Sequence, residues 1–104
     1  DAKVREDAIR ALSQVAERGD EHATIAVTAR LEDADATVRC TALEGLAEVA
    51  PTGDARVVSA VRARLKDRIF QVRCAAAEAL AALATGDGER PDDKARLRPG
   101  GLAR

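Results

Sequence analysis

Displaced by 34 residues, the chain superimposes on itself. The segment VREDAIRALSQVAERGD (Val4 to Asp20) falls on VRCTALEGLAEVAPTGD (Val38 to Asp54), and again on VRCAAAEALAALATGDG (Val72 to Gly88). Val4, Val38 and Val72 coincide, as do Arg5, Arg39 and Arg73, then Ala8, Ala42 and Ala76, then Leu12, Leu46 and Leu80. Between these blocks, DEHATIAVTARLED (Asp20 to Asp33) falls on DARVVSAVRARLKD (Asp54 to Asp67). A period of this length restricts the chain to repeat architectures, in which one supersecondary unit buries its apolar face only by stacking on its neighbours.

The unit is helical. Val38, Ala42, Leu46 and Val49 recur at steps of three and four, as do Val4, Ala8, Leu12 and Val15, which places each set on one stripe. Val57, Val61 and Leu65 do the same in the intervening block. Alanine supplies 24 of 104 residues and Phe70 is the only aromatic, which favours closely packed helices over a sheet. Asp20, Asp35 and Asp54 are placed to cap helices, and Gly19 and Gly53, with Pro51, to end them. The spacing predicts helices over 2–17, 21–32, 36–50, 55–66 and 69–84. Residues 1–86 form the repeat segment, a lone helix followed by units 21–50 and 55–84. Residues 87–104, rich in proline and glycine, read as an irregular tail with at most a turn of helix near Asp93 to Leu97.

The stretches LEDADATVRCTALEGLAEVA (Leu31 to Ala50) and LKDRIFQVRCAAAEALAALA (Leu65 to Ala84) resemble HEAT repeats, and in particular a bacterial, bilin-lyase-like subgroup with an L-x-D turn followed by V-R and alanine. The resemblance implies an all-α fold, a right-handed solenoid of stacked antiparallel helical hairpins, here about two and a half units. It implies that the VR helices line the concave side and the helices at 21–32 and 55–66 the convex side. It also implies a structural ladder of turn aspartates and helix arginines, with Asp33 matched to Arg39 and Asp67 to Arg73. Arg5 holds the same position, and its aspartate is expected before residue 1, as if the array began earlier.

Stacking the VR helices aligns Arg10, Glu44 and Glu78 in one row, Gln14, Glu48 and Ala82 in a second, and Asp7, Thr41 and Ala75 in a third. Small residues admit a partner backbone and the glutamates offer negative charge. Asp7, Arg10, Gln14, Thr41, Glu44, Glu48 and Glu78 are therefore the candidate partner-binding residues, for a basic or polar protein segment. The absence of tyrosine and tryptophan points to modest affinity. The exposed ends of a short array predict contacts with flanking repeats or self-association.

Other chemistries find little support. Lysine and arginine number 17 against 18 acidic residues, so no bulk charge attracts nucleic acid. Arg56, Arg62, Arg64, Lys66 and Arg68 cluster on one convex helix, but its neighbour carries Glu21, Glu32 and Asp33, and long basic side chains commonly cover apolar surface. His22 is the sole histidine, and Cys40 and Cys74, one repeat apart, lack metal-knuckle spacing, so neither metal nor cofactor is expected. Their Cα atoms should lie roughly 9–10 Å apart on adjacent helices, too far for a disulfide. Ser13 and Ser59 lack a base, and an open groove is too wet to tune a glutamate pair for catalysis. No apolar run spans a membrane and no secretory leader opens the chain, which fits a cytoplasmic protein. The expected function is a non-enzymatic protein-binding or scaffold segment. The alternatives are a bilin-lyase-type subunit, from the resemblance, and a nucleic-acid-binding module.

Overall fold

The computed structural model describes residues 1–84, so the segment read as a tail, 87–104, lies outside the described residues. Five α-helices follow one another without a strand among those residues: α1 (Ala2–Val15), α2 (Glu21–Ala29), α3 (Ala36–Val49), α4 (Ala55–Ala63) and α5 (Phe70–Ala84). Aspartates start four of them. Asp20 accepts from the Ala23 amide at 3.0 Å, Asp35 from Thr37 at 2.8 Å, Asp54 from Arg56 at 3.0 Å and Asp1 from Lys3 at 2.9 Å. Each satisfies an amide that the first turn leaves unpaired. Before α5 the cap position holds Ile69, which has no side-chain oxygen to offer.

The helix ends differ from the sequence expectation in two ways. α2 and α4 stop early, and Arg30–Glu32 and Arg64–Lys66 tighten into 3₁₀ turns. Leu31 is thereby still carried into the core, while the chain swings out at Asp33 and Asp67. α1 stops at Val15 because Ala16 turns extended. A four-residue turn then closes from the Asp20 amide to the Glu17 carbonyl at 3.0 Å, with Gly19 at φ +91°. A second such turn runs from Pro51 to Asp54 with Gly53 at φ +80°. A positive φ at the third turn position is what selects glycine there.

α1, α3 and α5 stack in chain order as one layer; α2 packs on α3 and α4 on α5, forming the other. The helices of the first layer pack closely, whereas α2 and α4 barely touch. The array therefore curves toward the first layer, which is its concave side. The core is continuous across units: Val38, Ala42 and Leu46 of α3 meet Val27, Leu31, Val57, Val61, Val72 and Ala76, all essentially sealed from solvent. A fully buried valine or leucine contributes about 1.5–3 kcal/mol. Of the stripe expected on α1, only Leu12 reaches this core, packed against it and partly buried. Val4 and Val15 are 63% and 79% exposed, Ala8 is exposed, and α1 buries Ile9 and Glu6 instead. The reason is that α1 turns Ile9 toward α3, while the Val4 side has no convex helix over it.

Two ladders join the units, one at each end of the concave helices. In the first, the Arg5 guanidinium grips Asp33 through Nε at 2.6 Å and Nη2 at 2.9 Å, and Arg39 grips Asp67 at 2.8 and 3.0 Å. The pairing expected from the turn alignment is therefore corrected by one unit. Arg5 has its carboxylate within the chain, Asp33 belongs to Arg5, and Asp67 belongs to Arg39. What Arg39 and Arg73 receive from their own turns is main chain: Arg39 Nη1 donates to the Asp33 carbonyl at 2.7 Å and Arg73 Nη1 to that of Asp67 at 2.6 Å. The stagger of stacked hairpins carries each arginine to the L-x-D turn of the next unit. In the second ladder the Gly19 amide donates to the Val49 carbonyl at 2.7 Å and the Gly53 amide to that of Leu83 at 2.9 Å. Arg18 reinforces it by donating to the Ala47 and Ala50 carbonyls at 2.9 and 2.8 Å, capping the end of α3.

Candidate interaction surface

The concave face begins with a close approach of α1 and α3. Gly45 makes it possible: a methyl group there would stand 2.6 Å from Ser13 Oγ and 3.3 Å from Ile9 Cγ2. Ser13 Oγ is buried by the same contact and has no hydrogen-bond partner among the described residues. Above this point lies an open hollow of about 170 Å³ between the two helices. Arg10, Gln14, Glu44 and Glu48 border it, with Thr41, Ile9, Ser13 and Gly45 beneath.

Of the sequence-expected residues, Asp7, Arg10, Gln14, Glu44, Glu48 and Glu78 are exposed. Thr41 is a correction: it is buried, and its hydroxyl donates to Glu6 Oε2 at 3.2 Å. It forms floor rather than contact surface. Glu6 in turn is covered although cysteines occupy its position in the other units, because Thr41 and Arg10, the latter at 3.6 Å, both reach its carboxylate.

Charge divides along this face. On α1, Arg10 lies 3.9 Å from Asp7, and Lys3 lies 3.5 Å from Asp7, so the helix compensates itself. On α3 and α5, Glu44, Glu48 and Glu78 enter no ion pair among the described residues. Cys40 is half-buried, and burial, helped by Glu44, pushes its thiol above the ordinary range; Cys74 is exposed and both are unpaired. A thiol held protonated is a poor nucleophile and metal ligand. Among the described residues no three of His, Cys, Asp and Glu converge as a metal set, and no helix is long and apolar enough to cross a membrane.

The ladder residues are occupied with one another. Asp33 accepts from Arg5, Arg30 and the Asp35 amide, and the Arg5 bonds together with that amide lower its carboxyl from 3.8 to about 2. Burial pushes Asp67 upward, but the Arg39 bonds and the Ile69 amide outweigh it and the net shift is down. Arg39 spends all three guanidinium nitrogens on protein acceptors, so it offers an incoming anion no free donor edge. On the convex side Arg64 is paired with Asp67 at 3.0 Å, while Arg56, Arg62, Lys66 and Arg68 are exposed.

One surface escaped sequence reasoning. Between α2 and α4 a groove of about 490 Å³ opens, lined by Thr24, Ile25, Thr28, Pro51, Asp54 and Val57 among others. Ile25 is 58% exposed there. It follows from the divergence of the convex helices, which a repeat alignment does not report.

A family model described as HEAT repeats matches residues 26–100. The chain belongs to the HEAT-repeat family. No curated protein and no solved structure matches it significantly. HEAT repeats generally mediate protein–protein interaction or scaffolding, and this HEAT array has the stacked layers and continuous core that such surfaces rest on.

Proposed function

We propose that this HEAT segment is a non-catalytic protein-binding element that holds a basic, extended or helical segment of a partner along its concave face. The observation that carries the reading is the uncompensated charge of Glu44, Glu48 and Glu78 on α3 and α5, beside the hollow floored by Gly45 and Thr41. Lysine or arginine side chains of the partner would lie over these carboxylates, and the alanines and glycine between them leave room for its backbone. Contacts of this kind give steering and register more than affinity, and the face has no tyrosine or tryptophan anchor. The neutral α1 end would contribute Arg10 and Gln14 as hydrogen-bonding groups rather than charge. Asp7 would serve mainly to hold Arg10. The reading places the protein in the cytoplasm, as part of an assembly rather than of a reaction.

The test uses a panel of labelled peptides that are lysine-rich, glutamate-rich or neutral, titrated with the protein and with a Glu44→Lys, Glu48→Lys, Glu78→Lys variant. Binding of the lysine-rich peptides alone, weakened by salt and lost in a variant with unchanged circular dichroism, is the expected result. Equal binding by both proteins, or none by either, would remove the concave face as the recognition surface.

A further inference from the structure

The two faces of the array carry opposite charge. The chain as a whole is nearly neutral, with 17 basic against 18 acidic residues, but its unpaired charges are sorted by side. Glu44, Glu48 and Glu78 are unpaired on the concave side. On α4 and the turn after it Arg56, Arg62 and Lys66 are exposed and likewise enter no ion pair among the described residues. Between them the outer ridge of α4 is built of small exposed residues, Ala55, Ser59 and Ala63, at steps of four. Arg56 and Arg62, three residues before and after Ser59, flank this ridge on its two sides. Lys66 follows four residues after Arg62, in the 3₁₀ turn. α2 does not share the pattern: where α4 and its turn have Arg56, Arg62 and Lys66, the preceding unit has His22, Thr28 and Glu32. The basic ridge is therefore a property of one helix and not of the repeat.

We infer that α4 docks its basic ridge into the concave face of a second copy of this chain. The occupant of the concave face is thereby named, on the reading proposed above for that face. The valley between α3 and α5 receives the ridge. Glu44 and Glu48 border it on one side and Glu78 on the other, and α5 has Ala75 and Ala82 where α3 has Thr41 and Glu48, so little side-chain bulk stands in the way. Glu44 and Glu48 are four residues apart, as are Arg62 and Lys66, so two pairs close together along facing helices. Within one molecule the two surfaces lie on opposite layers and cannot meet. Between molecules a convex helix enters a concave face of opposite charge, and a nearly neutral chain does not repel its own copies. The contact is heterologous: each copy keeps one face free, so copies add one after another, head to tail. Formed by exposed charges without a tyrosine or tryptophan anchor, it is weak and is screened by salt.

The test follows sedimentation of the full 104-residue chain over a dilution series, at low and at high salt. Two variants each reverse one side of the contact: Glu44→Lys with Glu48→Lys and Glu78→Lys, or Arg56→Glu with Arg62→Glu and Lys66→Glu. All six positions are exposed, so both variants keep the fold, which circular dichroism checks. The unaltered chain should assemble as its concentration rises and dissociate in salt. Each variant alone should associate at least about tenfold more weakly, and an equimolar mixture of the two should assemble again. Carbodiimide coupling, which joins a lysine amine to a carboxylate, should link Lys66 of one unaltered copy to Glu44, Glu48 or Glu78 of another. A chain that stays monomeric while binding the lysine-rich peptides would overturn self-docking and leave the concave reading standing, whereas a chain that does neither removes both. Assembly that both variants retain, or coupling between copies through Lys3 instead of Lys66, would overturn it in favour of contact through the end of the array.

Discussion

α1 and α3 carry the same repeat, yet one is bare where the other is sealed. Val4 is 63% exposed and Val38 not at all; Val15 is 79% exposed and Val49 not at all. The residues at the four stripe positions are identical, so the difference lies in what each helix has beside it. α3 is packed by α1, α2 and α5, whereas α1 has α3 and only slight contact with α2. In such an array stability belongs to the interfaces between neighbours as much as to the units, and an apolar stripe records a requirement for a neighbour rather than its presence.

The sharpest way to break this contrast is through the arginines. Arg39→Ala leaves buried Asp67 with Arg64 and the Ile69 amide, and loss of one partner of a buried pair costs about 3–5 kcal/mol. Arg5→Ala, at a rung open to solvent, should cost clearly less in urea unfolding. Equal losses would mean that the rungs do not feel the depth of the array. Next come the apolar stripes. Leu46→Ala should cost about 2–5 kcal/mol, while Val4→Ala should stay within about 0.5 kcal/mol, as surface changes do. A comparable effect at both sites would show that α1 is covered in solution.

A smaller effect is expected at the contact of the two helices. Gly45→Ala improves helix propensity by about 1 kcal/mol but overpacks against Ser13 Oγ, and overpacking costs about 1–3 kcal/mol. The variant should be less stable, and Ser13→Ala, which deletes a buried hydroxyl without a partner, should restore much of the loss in a double-mutant cycle. A cycle with no coupling would mean that the helices stand farther apart. The smallest effect concerns pH. Asp33 titrates lower in the folded chain, about 2 against 3.8, so its contribution is complete above the upper value and fades as pH falls through the lower one. Asp67 shifts in the same direction. Stability should therefore decline between about pH 4 and pH 2, and Asp33→Asn should flatten that limb. An unchanged acid limb would disconnect Asp33 from it.

Periodicity and capping made most of the architecture readable: the five helices, the aspartates that start α2, α3 and α4 and the turn glycines all follow from local chemistry. The rungs did not, because Arg5 and Asp33 are joined by the stagger of stacked units. An alignment of repeats shows equivalent positions but not which copies touch. For the same reason Gly19 reads as a helix stop, although its amide reaches Val49 in the next unit. Thr41 reads as surface because its row contains Asp7, and only the packing of α1 reveals Glu6 beneath it. Gly45 has a visible identity but an invisible purpose until Ser13 stands opposite.

The arginine and glycine rungs sit at opposite ends of helices about 14 residues long, so they are separated by roughly 20 Å along the helix axis. Neighbouring units are thus hung like a door on two hinges. Sliding or twisting one unit past another must break a rung, whereas folding about the line through both hinges strains neither, and the convex helices barely touch to oppose it. A change in the radius of the arc would leave both rungs intact, so it is the continuous apolar core, rather than the hydrogen-bonded rungs, that sets the curvature.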